Sequence, residues 1–173
     1  MSLPPAASVE GSLDTAEGKC VISHSLNVQE IINSVQDDSA GAIAVFIGTT
    51  RNSFKGKVVT RLEYQAYTKM ALKTMAEITH NASEFVTRSD HQPPSQTDLT
   101  QSAALRRCAI HHRIGSVPVG EPSIVIAVSC PHRKEAFLIC EKILEDVKLK
   151  AQIWKREYYE GEDESLAEWK QNY

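Results

Sequence analysis

The chain has 173 residues, with 19 basic and 22 acidic side chains and a net charge of −3. That balance argues against a dedicated nucleic-acid binder, which needs a basic face, and the length favours one domain with a sizeable core. No apolar run approaches the roughly 20 residues that span a bilayer, and the N-terminus lacks the basic segment and long apolar stretch of a secretory leader.

Residues 1–18 are rich in Pro, Ala, Ser and Gly and are predicted to be a disordered tail, with a single domain over 19–173. Residues 20–23 read as a short strand. Asn27 can cap a helix that carries Val28, Ile31, Ile32 and Val35 on one stripe. The run from Gly41 to Gly48 is almost wholly apolar and suits a strand buried on both faces. A polar loop over 49–56 and a strand over 58–67 follow, then Thr68 as the cap of a helix holding Met70, Ala71, Met75, Ile78 and Phe85. The polar stretch around Pro93-Pro94 makes 88–104 a mobile loop. A strand through Cys108, Ile110 and His112 precedes a turn over 115–122, and 124–128 is another buried strand. The last helix, from His132 to about Lys150, carries Ala136, Cys140, Ile143, Leu144 and Val147 on one face. A strand over 152–159, an acidic stretch over 160–164 and a short amphipathic tail complete the chain. Strands clustered mid-chain among helices favour an α+β fold over a doubly wound sheet.

Four cysteines, Cys20, Cys108, Cys130 and Cys140, are scattered with no Cys-x-x-Cys pair. Structural zinc usually draws its ligands from close pairs, so these read as reduced thiols in a cytosolic protein. His111 and His112 alternate faces, so at most one points into any site, and neither belongs to a metal-binding pattern.

Chemistry concentrates in four places. Pro131-His132-Arg133 stands where a strand gives way to a helix, and free N–H groups, the helix dipole, an imidazole and a guanidinium suit a phosphate there. Thr49, Thr50 and Arg51 follow the glycine-ended strand, where hydroxyls and a guanidinium can meet a ligand. Lys148 borders the packed stripe of the last helix. Lys155 and Glu157 lie two apart on a strand and share a face, so the carboxylate can hold the lysine, while nearby cations would push its pKa down towards values useful for acid–base work. His132 and Lys148 are 16 residues apart, or roughly 24 Å along a straight helix. One small substrate cannot touch both in one protomer, so a site that uses both is shared between two copies.

The segments Gly48-Thr49-Thr50-Arg51-Asn52, His112-Arg113-Ile114-Gly115, Pro131-His132-Arg133 and Lys148-x6-Lys155-Arg156-Glu157 together resemble the large, catalytic subunit of molybdopterin synthase, in its animal form, over about residues 20–160. The resemblance implies an α/β hammerhead fold, with a mixed, largely antiparallel sheet packed by helices. It implies a homodimer in which each copy binds a small ubiquitin-like subunit, giving a heterotetramer. The small subunit would bring a C-terminal Gly-Gly thiocarboxylate, whose sulfur passes to cyclic pyranopterin monophosphate. Two rounds would make the dithiolene of molybdopterin, with no metal or other cofactor required by the large subunit. Lys148 and Lys155 match the family's two active-site lysines. Arg51, His132 and Arg133 suit the substrate's phosphate, with the last two supplied by the other protomer, and Arg156 and Glu157 would orient the site. A non-catalytic module that docks a ubiquitin-like tail is the alternative. It would need the tail pocket but no phosphate-binding groups. A phosphate-ester hydrolase lacks both a metal constellation and an activated nucleophile.

Overall fold

The computed structural model describes residues 8–87 and 104–172. The first sheet contains β1 (Gly11–Asp14), β2 (Gly18–Ser23), β3 (Ala42–Thr49), β6 (Arg107–Arg113) and β8 (Pro122–Cys130), in the order β1-β2-β6-β8-β3. Among the described residues, only its β2–β6 pairing is parallel. The second contains β4 (Ser53–Phe54), β5 (Lys57–Ala66), β9 (Ile153–Tyr159) and β10 (Lys170–Gln171), in the order β10-β9-β5-β4, with β7 (Gly115–Pro118) also pairing β5. The α+β class holds, with the strands divided between two sheets.

Among the described residues, three α-helices cover this framework. In α1 (Val28–Ser34), the Asn27 side chain accepts from the Glu30 N–H at 3.2 Å, as the sequence led us to expect. Ile31 and Val35 of this segment pack on Val125 and Ala127, on one face of the first sheet. The opposite face carries α2 (Thr68–Thr87) and α3 (Arg133–Lys150), where Met75, Ile78, Ile139 and Ile143 meet Ile22, Ile110 and Ile126. The β8 strand is buried from Ser123 to Cys130 because it is central in the sheet and helices cover both of its faces. All four cysteines are buried and unpaired.

The structure corrects several expectations. Residues 11–14 belong to β1, paired with β2, so the predicted tail over 1–18 does not extend through them. The predicted loop at 88–104 lies outside the described residues but for Ala104, as does the Phe85 side chain. β3 is not buried on both faces: it is an edge strand, and Ile43, Val45 and Ile47 are exposed, while α1 packs mainly on β6 and β8. The polar loop contains a hairpin, β4–β5, turned by Lys55 and Gly56 at φ 49° and 79°, the pair of positive values that a two-residue type I′ turn requires. The predicted turn over 115–122 includes β7. Thr68 does not cap α2 with its side chain; it is bonded to the backbone of Val9 and pins the N-terminal residues to the helix. Met70 faces solvent, and the inner face of α2 is Ala71, Leu72, Met75, Ile78 and Ala82.

Candidate active site

A cavity of about 380 Å³ opens between the two sheets. Its walls come from both sheets and from α3, with Ser123 of β8 among them. The end of β3 and the following loop bring Gly48, Thr49 and Arg51; β5 brings Leu62 and Tyr64; β6 brings His112; α3 brings Lys148; β9 brings Lys155 and Glu157; and the C-terminal residues bring Asn172. The lysines converge because Lys148 stands in the last turn of α3, a two-residue connection, Ala151 and Gln152, returns the chain, and β9 then runs antiparallel to β5 with Lys155 opposite Tyr64. The β3–β8 register shifts between Gly48 and Thr49, which redirects the chain as it leaves the strand.

Among the described residues, three cationic side chains, Arg51, Lys148 and Lys155, and one carboxylate, Glu157, line the cavity. An excess of positive charge in a partly enclosed cleft attracts an anion. The Lys155 Nζ lies 3.9 Å from Glu157 Oε1, and the carboxylate is only 9% exposed. The Tyr159 hydroxyl donates to Glu157 Oε2. Burial pushes the Lys155 pKa down; Glu157 works against that, while Lys148, Lys170 and Arg51 add to it. An amine so placed gives up its proton more readily than a free lysine, as acid–base chemistry near neutral pH needs.

The inner wall is polar and neutral. Tyr64 is buried, which raises its pKa, and it bonds Ser123. The His112 ring lies edge-on to the Tyr64 ring at 5.0 Å. Its Nδ1 is 2.8 Å from the Arg113 carbonyl and must donate there, which leaves Nε2 to accept from Asn172 Nδ2 at 3.1 Å. Burial holds this imidazole near pKa 4, so it carries no charge at neutral pH.

The structure separates the sequence-predicted residues. Thr49, Arg51, Lys148, Lys155 and Glu157 share the cavity. Thr50 does not: it is 3% exposed, and its hydroxyl donates to the Val117 carbonyl at 3.3 Å, so it is part of the loop's internal bonding. Arg156 points to the opposite face of β9, where it pairs with Glu63 at 2.7 Å and lies over the Trp169 ring. His132 and Arg133 stand at the far end of α3 and do not line the cavity. Tyr64, Ser123 and Asn172 are wall residues that the sequence did not reveal. The alternation of His111 and His112 allowed one of them into a site, and His112 is the one that enters.

The profile of the MoaE protein family matches residues 21–150. The chain is 41% identical over 147 residues to molybdopterin synthase catalytic subunit 2 of Aedes aegypti, a match covering 85% of this chain and 84% of that one. The chain belongs to the MoaE family. Its fold agrees: it is similar to the structure of molybdopterin synthase from Staphylococcus aureus, with TM-score 0.70, 29% identity, and coverage of 86% of this chain and 94% of that one. In fold alone it is also similar to a Helicobacter pylori chain solved as a protein–protein complex of subunit 1 and 2 of molybdopterin-converting factor, with TM-score 0.59, 20% identity, and coverage of 83% and 85%. Lys155 and Glu157 of this MoaE chain lie beyond the residues that the profile matches.

Proposed function

We infer that this chain is the catalytic subunit of a molybdopterin synthase. In this reading it accepts the C-terminal thiocarboxylate tail of a small ubiquitin-like subunit and passes its sulfur to cyclic pyranopterin monophosphate, in two rounds, to make the dithiolene. The observation that carries the reading is that Lys148 and Lys155 open into one cationic cavity beside Arg51 and Glu157. A phosphate-bearing pterin needs the guanidinium, and Arg51 offers it. Lys148, at the outer end of α3, takes the thiocarboxylate terminus and moves protons as sulfur attacks. Lys155, held by Glu157, positions the pterin and protonates the oxygen that leaves as the cyclic phosphate opens.

The site is completed by a second copy of the chain. His132 and Arg133 are suited to an anion but lie a helix length from Lys148, so they serve the cavity of the partner. The exposed Ile43, Val45 and Ile47 on the open edge strand β3 give that partner an apolar face to cover. One small subunit on each copy then gives a heterotetramer. No helix among the described residues is long and apolar enough to cross a membrane, and four unpaired cysteines suit the reducing cytosol.

The test is reconstitution. The chain is mixed with a thiocarboxylated small subunit and cyclic pyranopterin monophosphate, and molybdopterin is followed as its oxidised fluorescent derivative. Product that requires all three components supports the reading. Tight binding of the small subunit with no product would make the chain a docking module.

A further inference from the structure

The proposed chemistry uses neither His112 nor the C-terminal strand β10, yet the two meet at the cavity. His112 is 1% exposed, and its Nε2 lone pair accepts from Asn172. The Asn172 backbone N–H donates to the Ile153 carbonyl at 3.2 Å, and the Gln171 side chain donates to the Leu149 carbonyl at 3.2 Å. On the opposite face of β9, Trp169 lies against the Arg156 guanidinium at 4.5 Å. These contacts fix the register of β10 on β9, with Lys170 opposite Lys155. Lys170 Nζ then lies 3.7 Å from Glu157 Oε2, while Lys155 Nζ lies 3.9 Å from Oε1. One nearly buried carboxylate is shared by two ammonium groups.

We propose that Lys170 is a positioning residue of the active site, acting on Lys155 through Glu157, and that His112 sets it there by docking Asn172. This rests on the reading of Lys155 as the acid–base lysine. A second cation on Glu157 takes part of the attraction that would otherwise hold a proton on Lys155, and it repels that proton directly. The groups that face Lys155 are Glu157 on its own strand, Lys148 from α3, Arg51 from the loop after β3, Lys170 from β10, Tyr64 from β5 and neutral His112 from β6. Of the charged groups, Glu157 alone favours the protonated amine. The C-terminal strand is therefore part of the device that readies the lysine, although it lies beyond the residues the family profile matches.

Trace labelling of the full chain with an amine-reactive acetylating reagent, read by peptide mass spectrometry across pH, reports the Lys155 midpoint without any sulfur donor. Lys170→Ala is expected to raise that midpoint by about 0.5 unit or more, the scale of one like charge at a partly exposed site. Asn172→Leu, which frees the strand from His112, is expected to raise it in the same direction, with the double variant no further than Lys170→Ala. Lys170→Arg is expected to keep the wild-type midpoint. An unmoved midpoint in Lys170→Ala overturns the proposal, and an unmoved midpoint in Asn172→Leu overturns the part given to His112. A reconstituted enzyme that makes no product would overturn the functional reading and leave this titration standing.

Discussion

Lys148 closes α3 and Lys155 stands on β9, and both open into the cavity that holds Glu157 and Arg51, where the charge of Lys148 helps to lower the Lys155 pKa. Two amines in one cavity, only one of them held by a carboxylate, can take different parts in the same reaction. Replacing either with Ala is expected to lower kcat by about 10²-fold or more, the usual weight of a positioned acid–base group. The thermal midpoint of Lys148→Ala should stay within a degree or two of wild type, because the side chain is exposed. Turnover by Lys148→Ala at a near-normal rate would remove that residue from the mechanism.

Arg51 is exposed at the cavity mouth and is assigned to phosphate. Arg51→Ala is expected to raise KM for the pterin substrate about 10- to 100-fold, the range of one charge-assisted hydrogen bond, with a smaller change in kcat. Steady-state kinetics at saturating small subunit separate the two effects. A fall in kcat alone would place Arg51 on the reacting atoms instead.

A site shared by two copies makes a prediction about mixtures. Lys148→Ala and His132→Ala should each be inactive as homodimers. Dissociated and reassociated at equal concentration, they should regain about one quarter of wild-type activity, because half of the dimers are mixed and each of those has one intact site. No recovery, with mixed dimers confirmed by mass spectrometry, would mean that His132 and Lys148 serve no common site.

The exposed apolar residues of β3 give a separate handle on assembly. Val45→Lys or Ile47→Glu should leave the fold intact, since both positions face solvent in the single chain, yet shift the protein to monomer in sedimentation velocity. A dimer that survives both substitutions lies on another face.

His112 and His111 are each held near pKa 4 by burial, below the usual 6.5. Between about pH 6.5 and 4 the unfolded chain binds protons that the folded chain refuses, so stability falls as pH drops through that window and levels off below it. His112 is expected to contribute a loss on the order of 3 kcal/mol at full extent, and His111, which is less buried, a smaller one. Urea unfolding at pH 7.5 and pH 5 should give a smaller difference for His112→Gln than for wild type. An unchanged difference would mean that His112 charges freely in the folded state.

The parts of the site that the sequence made legible are those governed by local geometry. Lys148 follows from helix periodicity, and Lys155 and Glu157 from the alternation of a strand. The same alternation accounts for Arg156, which lies between Lys155 and Glu157 and faces opposite to both; Thr50 lies past the end of β3, where its hydroxyl turns to the Val117 carbonyl. Tyr64, Ser123 and Asn172 were not legible, because they reach the cavity through strand pairings and returns distant in sequence. The burial of β3 was misjudged for another reason. An apolar run of Ile, Val and Phe signals that the surface is to be covered, but it does not say whether the same chain covers it.

The four cysteines are enclosed in the fold, and burial raises every one of their pKa values, to about 11 for Cys20 and Cys140 and about 12 for Cys130. A thiol that stays protonated is a poor nucleophile towards an activated sulfur or acyl group. The chain can therefore receive a reactive thiocarboxylate without diverting it to its own side chains. Each sulfur atom of the dithiolene would come from the donor tail, and isotopically labelled sulfur on that tail should pass to product undiluted.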